Sequence, residues 1–420
     1  MDTPPWRLPV LDTLRGYALI QVLLSTWLAA FCPGTVPPVP LDSDNITMIL
    51  LAIASDGYAG ICLFLCVTGY VLTWTYAPQP IPVPRLLLSR SIRLVIPSLV
   101  ALQFGAVIAL FFANATHQAG NWNGSDLLRA LYPSPPTAHA VAKDAAAAML
   151  TGYNGSSIVA DFVTTWLHIP LPLVESVNPA LWTLSLQLLG SALVIYLIAA
   201  AQIGTLAWFG LAALVVAGVL TTPLIGMFIG HKLALLALRR SDAMPIALSL
   251  PLFLAGGYLI LVPFDGLAPD FEALIAALPY YRFTAAPHIT HLSKIAGTSL
   301  AFIAVMTSPP LQRFLTISTV SWLGRFSFPI YLVHIPVICG LVPAVLIATD
   351  LHSGPARSLL ILMTATAGLV LAATALNFVD WAARTTSQAV QGTRQDRNRS
   401  RSFGSESPTA PRPVPGGNRS

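Results

Sequence analysis

The sequence predicts an all-α membrane protein, a polytopic bundle of about ten transmembrane helices. Hydrophobic residues make up 55% of the 420-residue chain and charged residues 9%, against about 25% in a soluble globular protein. A water-soluble domain with so few charges would expose large apolar patches, so this class is excluded. The apolar residues also form segments of about 20, the length that crosses a hydrocarbon core.

Ten apolar segments are candidate spans. The second is long, and we expect it to bend near Asp56 and Gly57. The sixth and eighth are short. The segments run from Leu14 to Phe31, Ile46 to Thr75, Leu94 to Ala113, Ala180 to Ala200, Thr205 to Leu220, Leu224 to Leu238, Met244 to Val262, Ile295 to Thr307, Phe328 to Ala348 and Ser358 to Val379.

Arginines in the loops predict the orientation of the bundle, because Lys and Arg are retained on the cytoplasmic side of a membrane. The loop after the second segment carries Arg85, Arg90 and Arg93 and no acid. The loops after the sixth segment and before the ninth carry further arginines and face the same side. The sequence therefore predicts a multi-pass protein of the cell (plasma or inner) membrane with both termini in the cytoplasm.

The pattern divides the chain into a transmembrane domain, residues 1–383, and a tail, residues 384–420. The tail is rich in Arg, Ser, Pro and Gly, which predicts a disordered basic segment. Residues 114–179 form a long external loop in this scheme. Its aromatic side chains either stack on sugar rings or anchor the loop at the membrane interface. They are Trp122, Tyr132, Tyr153 and Trp166.

Arg15 is the first candidate functional residue, because an ionisable side chain in a membrane helix is costly unless it is paired or reaches the surface. Asp12, three residues earlier, is a possible partner. Thr26 lies eleven residues later, which returns it to the face of Arg15 about 16 Å deeper along the helix. Whatever Arg15 faces, Thr26 is expected to face as well.

Arg90 and Arg93 form a second cluster, on one side of a helix that enters the third span. Guanidinium groups make bidentate contacts with phosphates and keep their charge, so this pair suits a phosphate-bearing ligand. The alternative is a pair that only extends to the lipid headgroups.

Two further stretches, residues 178–191 and 324–336, place polar groups among apolar ones. The second enters from the cytoplasm, which puts His334 at about the level of Arg15. A lone buried His is commonly a packing residue, but this one lies in a stretch that contains other polar residues. The first stretch enters from outside, and we expect three candidate residues in its outer part: Trp182, Ser185 and Gln187.

The cysteines predict neither disulfides nor a metal site, because they lie in or beside apolar runs without a CxxC pair or a His at ligand spacing. No bound cofactor is expected, and nothing in the sequence indicates a nucleic-acid partner. The four cysteines are Cys32, Cys62, Cys66 and Cys339.

Five stretches in fixed order resemble the integral-membrane acyltransferase 3 family, whose members O-acylate sugars and other hydroxyl acceptors. Each stretch alone is a weak signal, and the resemblance rests on all five, spanning residues 9–380. They are LDTLRGYALIQVLLSTW (11–27), FLCVTGYVLTW (64–74), RSIRLVIP (90–97), LWTLSLQLLGS (181–191) and GRFSFPIYLVHIP (324–336).

The resemblance implies transfer of an acetyl or similar acyl group from cytoplasmic acyl-CoA to a hydroxyl of a carbohydrate or other acceptor at the opposite face. It assigns Arg15 to catalysis and Arg90 and Arg93 to the donor. Two positions depart from the family pattern: Thr26 stands where the family has an essential His, and Gln187 where it has Glu. Neither residue can act as a general base near neutral pH.

Two explanations of these departures stay open. In one, His334 or a His of the external loop supplies the base while Arg15 binds donor phosphate or stabilises the thioester oxyanion. In the other, the chain keeps the fold but not turnover and serves as a binding or assembly partner. A transporter is a third class, although the sequence lacks paired inverted halves and has few mid-membrane charges. The loop histidines are His117, His139 and His168.

Overall fold

The computed structural model is helical throughout the regular structure of its described residues, which include no strand. The all-α prediction is therefore confirmed. The described residues are 9–35, 46–78, 82–153, 164, 172–204, 208–212, 222–239, 243–261 and 289–391.

Six of the described helical stretches are long and apolar enough to cross a membrane, and three shorter apolar helices accompany them. The fifth predicted span, 205–220, lies mostly outside the described residues. In chain order the helices are α1 (Pro9–Phe31), α2 (Ile46–Ala54), α3 (Gly57–Tyr76), α4 (Val83–Asn123), α5 (Asp126–Ala130), α6 (Ala138–Ala146), α7 (Trp182–Ile203), α8 (Leu224–Arg239), α9 (Ile246–Leu261), α10 (Ile289–Thr307), α11 (Pro309–Leu315), α12 (Ser318–Arg325), α13 (Ser327–Ile335), α14 (Val342–Thr349) and α15 (Pro355–Gln391).

The second predicted span is broken at the expected place. Helix α2 ends at Ala54, and Asp56 caps the start of α3 by accepting a hydrogen bond from the Ala59 backbone N–H at 2.9 Å. The other carboxylate oxygen of Asp56 forms an ion pair with Lys294 of α10 at 2.7 Å. An Asp at an N-cap satisfies a backbone donor that the helix leaves free, so the break comes from capping chemistry.

Helices α3 and α8 pack backbone to backbone through glycines, the contact that small residues allow between membrane helices. A Cβ atom added at Gly69 would lie 2.0 Å from the carbonyl oxygen of Met227. A Cβ atom at Gly230 would lie equally close, 2.0 Å, to the carbonyl oxygen of Cys66. The two helices therefore form one tightly fitted unit at the back of the pocket described below.

We expect Gly69→Ala to lower the stability of the folded protein by about 1–3 kcal/mol, because the added methyl group forces the helices apart. Thermal unfolding of the detergent-purified protein measures the effect. Gly210→Ala is the matched control, since a Cβ atom there has nothing within 4 Å. Equal melting temperatures for the two variants would contradict the packing described for α3 and α8.

Two helices run further than predicted. Helix α4 continues past Ala113 to Asn123, where Gly124 ends it in the left-handed conformation with φ +69°, so the first part of the predicted external loop is helical. Helix α15 continues to Gln391, eight residues into the segment 384–420 that composition assigns to a disordered tail. Residues 392–420 lie outside the described part of the chain.

The segment before α7 enters the bundle instead of staying at its surface. Its Asn178 side chain is fully buried and donates to the carbonyl oxygens of Ala101 in α4, at 3.2 Å, and Leu332 in α13, at 2.8 Å. Helix α7 therefore begins in the core. Short 3₁₀ turns at Leu173–Glu175 and Pro179–Leu181 shape this segment.

Asp144 joins α6 to this inserted segment. Its carboxylate accepts hydrogen bonds from the Tyr153 hydroxyl, the Ser176 hydroxyl at 3.0 Å and the Val177 backbone N–H at 2.9 Å. Burial raises the pKa of Asp144, and these hydrogen bonds partly oppose that rise. Of the loop aromatic residues, Tyr153 therefore has a structural role, and Tyr132 is buried as well. The Trp122 side chain is 41% exposed. Trp166 lies outside the described residues.

Candidate functional site

Five arginines converge on one pocket between α1, α3, α4, α7, α12, α13 and α15. The arginines come from four separate helices, so the fold itself creates the positive cluster. They are Arg15, Arg90, Arg93, Arg325 and Arg384.

Arg15 and Arg325 share one carboxylate, that of Asp12. Arg15 lies 3.6 Å from one oxygen of Asp12, and Arg325 lies 3.8 Å from the other. This sharing depends on close packing of α1 against α12, where a Cβ atom at Gly324 would overlap the Asp12 carbonyl oxygen. The expected pairing of Arg15 with Asp12 is therefore confirmed, and a second arginine joins it.

Arg90 and Arg93 lie three residues apart on α4 and so share a helix face. The Arg90 Nε atom donates to the Ser191 hydroxyl of α7 at 3.1 Å. Within the described residues, neither arginine forms an ion pair with a carboxylate. Asp380 acts electrostatically on both arginines from beyond ion-pair distance, and a bound anion would stabilise them further.

Arg384 forms an ion pair with Asp380, one turn earlier on α15. The Asp380 side chain is 1% exposed, whereas that of Arg384 is 41% exposed and reaches the pocket. Asp12 and Asp380 are the two carboxylates ion-paired with the pocket arginines among the described residues. Five arginines and two carboxylates leave an excess of three positive charges at this site.

The deeper wall of the pocket is polar but uncharged. Tyr331 donates its hydroxyl proton to the carbonyl oxygen of Ala180 at 2.9 Å, so Thr183 donates to the Tyr331 oxygen at 2.9 Å. Gln187 lines the same wall, together with the hydroxyl-bearing Thr68 and Ser327. The described residues that line the pocket include no His, Cys, Asp or Glu. The pocket lining thus provides charge and hydrogen bonds but no proton acceptor near neutral pH.

A family model described as an acyltransferase domain, that of the acyltransferase 3 family, matches residues 9–379. The chain belongs to the acyltransferase 3 family. No curated protein and no solved structure matches it. The matched region of this acyltransferase 3 protein contains four of the five pocket arginines, and Arg384 lies beyond it.

Four of the eight candidate residues named from the sequence line the pocket of this acyltransferase 3 protein. Arg15, Arg90 and Arg93 carry the positive charge, and Gln187 lies in the uncharged wall close to them. The family's Glu at position 187 would therefore place a carboxylate within an arginine cluster. The inserted segment carries α7 inward, and Gln187 lines the same pocket as Arg15, Arg90 and Arg93.

The other four candidates lie outside the pocket lining. Thr26 is half-buried and donates to the carbonyl oxygen of Val22 in its own helix at 3.0 Å. Ser185 donates to the carbonyl oxygen of Trp182 at 3.2 Å and is buried. Trp182 packs with apolar residues of two core clusters. These three side chains make no contact that indicates a chemical role.

His334 is buried one turn from Tyr331, and its Nδ1 atom lies 2.5 Å from the Tyr331 carbonyl oxygen. Because a carbonyl oxygen only accepts, Nδ1 carries the proton and the neutral ring has its lone pair at Nε2. Of the loop histidines, His117 contacts the Leu131 carbonyl oxygen at 2.6 Å, His139 is exposed, and His168 lies outside the described residues.

Four of the charged or hydrogen-bonded pocket residues described above were not among the sequence candidates. Tyr331 and Thr183 lie inside the family-like stretches, and their hydroxyl groups within apolar segments could have marked them as candidates. Arg325 and Arg384 appear in the sequence as loop and tail charges, and only the tertiary fold brings them to the pocket. No group of three or more His, Cys, Asp or Glu suited to a metal ion occurs in the part of the chain that the structure describes.

Proposed function

We propose that this protein is a membrane O-acyltransferase that moves an acetyl or similar acyl group from acyl-CoA to a hydroxyl of a carbohydrate acceptor at the opposite face. The observation that carries the proposal is the arginine pocket, whose excess of three positive charges includes Arg90 and Arg93 without carboxylate partners. Phosphate groups match guanidinium pairs in charge and geometry. The phosphates of CoA supply several such groups on one soluble donor.

The reaction is attack of the acceptor oxygen on the thioester carbonyl carbon. A C–O bond forms, the C–S bond breaks, and the acceptor proton ends on the sulfur of CoA. With the phosphates at the arginines, the pantetheine arm extends toward the uncharged wall near Thr183 and Tyr331. The Arg15 side chain is then available to stabilise negative charge on the thioester oxygen.

The general base we propose is His334, since its fixed Nδ1 proton leaves Nε2 to accept one. Its proximity to Tyr331 puts it beside the pocket wall. This assignment accounts for turnover with Thr26 and Gln187 in place of the family's His and Glu. It also gives the histidine of the fifth family-like stretch a role.

The alternative is a protein that binds acyl-CoA without turnover and acts as a binding or assembly partner. The observation that favours it is the absence of any His, Cys, Asp or Glu from the pocket lining. Both functions use the same arginines, so donor binding alone does not separate them.

The deciding experiment incubates membranes containing the protein with radiolabelled acetyl-CoA and candidate glycans. We expect label in the glycan, loss of transfer with Arg15→Ala and His334→Ala, and retention with Arg357→Ala. Arg357 is the matched control because it contacts Asn123 at the other end of α4. Donor binding without transfer to any acceptor would favour the binding-partner function instead.

We also propose that the arginine pocket opens to the cytoplasm, following the arginine distribution in the loops. Cysteines introduced at Ser134, which is exposed, and at Ser405 are then expected to react from opposite sides of the membrane. The background carries Cys32→Ser, because Cys32 is exposed whereas the other three cysteines are buried. Labelling of both positions from one side would refute the ten-helix topology.

A further inference from the structure

The last turns of α15 reach beyond the region that the family model matches. That match ends at residue 379, whereas α15 continues to Gln391. The Ser387 hydroxyl lies 2.5 Å from that of Ser89 near the start of α4, and Gln391 donates to Ser89 at 2.5 Å and to the Tyr76 hydroxyl at 3.3 Å. The extension is therefore fixed against the ends of α3 and α4 that adjoin the pocket.

Within this extension, Asp380 and Arg384 carry opposite charges at very different depths. Asp380 is 1% exposed, and its Oδ1 atom has no hydrogen-bond partner among the described residues. A carboxylate buried in this way is costly unless a cation compensates it, and Arg384 is its ion-pair partner. The pairing holds the Arg384 side chain at the pocket, where it faces the same space as Arg90 and Arg93.

We propose that residues 380–391 form part of the donor site, with Arg384 as a further phosphate-binding residue and Asp380 as the positioning residue that orients it. The inference rests on the proposed function, because the phosphate belongs to the CoA donor. Ser387 and Gln391 hold the extension in place. A phospholipid headgroup has the same phosphate chemistry, and the experiment therefore separates the two ligands.

The test measures CoA binding by calorimetry to the full chain in phosphatidylcholine nanodiscs. We expect Arg384→Gln to weaken binding about 5- to 20-fold, Arg384→Lys to restore part of the loss, and Arg357→Gln to stay within about twofold of the native affinity. Native-like affinity in Arg384→Gln, with weaker binding in Arg90→Gln, would overturn this inference and leave the proposed function standing. Absence of CoA binding to the native protein would overturn the proposed function and this inference with it.

Two further measurements address the positioning role and the lipid. If charge alone mattered, Asp380→Asn would tighten CoA binding, because it removes a negative charge near the phosphates. We expect the opposite, binding about threefold weaker, because Arg384 is no longer held in place. Unchanged or tighter binding would overturn the role of Asp380. A phosphatidylglycerol surface repels CoA from every variant, so the ratio between variants is compared there. We expect Arg384→Gln to weaken CoA binding by the same factor in phosphatidylglycerol nanodiscs; disappearance of that effect would identify a lipid headgroup as the ligand of Arg384.

Discussion

Replacing both Arg90 and Arg93 by Gln is expected to weaken CoA binding by about 100-fold or more. Each charge-assisted hydrogen bond contributes about 1.5–3 kcal/mol, and about 1.4 kcal/mol corresponds to a factor of ten. Neither guanidinium forms an ion pair with a carboxylate of the described residues, so both are available to bind a ligand phosphate. Calorimetry on the purified variant measures the loss.

The matched control for this double variant is Arg129→Gln with Arg357→Gln, which removes the same charge away from the pocket. Arg129 pairs with Asp126 on a short helix after α4, and Arg357 contacts Asn123. We expect native donor affinity in the control. Unchanged affinity in the Arg90 and Arg93 double variant, with expression preserved, would refute donor binding by these arginines.

Restoring the family residues by Thr26→His and Gln187→Glu is expected to raise acyl transfer, by up to about 10²- to 10⁴-fold if no efficient base is present now. The structure favours tolerance of both changes. Thr26 gives up only a hydrogen bond to Val22 of its own helix, and a carboxylate at position 187 would lie beside a surplus of arginines. Single-turnover transfer of labelled acetyl groups to glycan measures the gain.

Thr26→Asn with Gln187→Glu is the control for this experiment, since Asn is polar but cannot accept the proton. A slower double revertant, in a native protein that already turns over, would mean that the pocket works with another base. His334→Ala would then abolish activity. If native protein and revertant both bind CoA and both stay inert across several acceptors, the binding-partner function is favoured.

Hydropathy predicts the helices well because lipid imposes one requirement on every span, an apolar segment of sufficient length. The bend at Asp56 follows in the same way from a local capping residue. The depth of α7 could not be predicted, because it depends on hydrogen bonds from Asn178 to carbonyl groups of two distant helices. These hydrogen bonds fix the start of the helix that carries Gln187 to the pocket.

The candidate site shows the same division between local and tertiary information. The spacing of Arg90 and Arg93 predicts a shared face, and both do line the pocket. Arg384 looked like one charge of a basic tail, since nothing near it in the sequence shows that Ser387 and Gln391 bind the start of α4. Its place at the pocket is a property of helix packing.

The lengths of α4 and α15 bear on how salt is expected to affect the proposed acyl transfer. At 41 and 37 residues they are about 60 and 55 Å long, well beyond a hydrocarbon core of about 30 Å. Because Ser89 and Ser387 meet, the two helices lie side by side next to the pocket. With acyl-CoA bound as proposed, the charges near its phosphates are screened over about 8 Å at physiological ionic strength, whereas its thioester is placed farther from the surface. Raising the salt concentration is therefore expected to increase the KM for acyl-CoA while leaving kcat nearly constant, a separation that steady-state kinetics in two salt concentrations would measure.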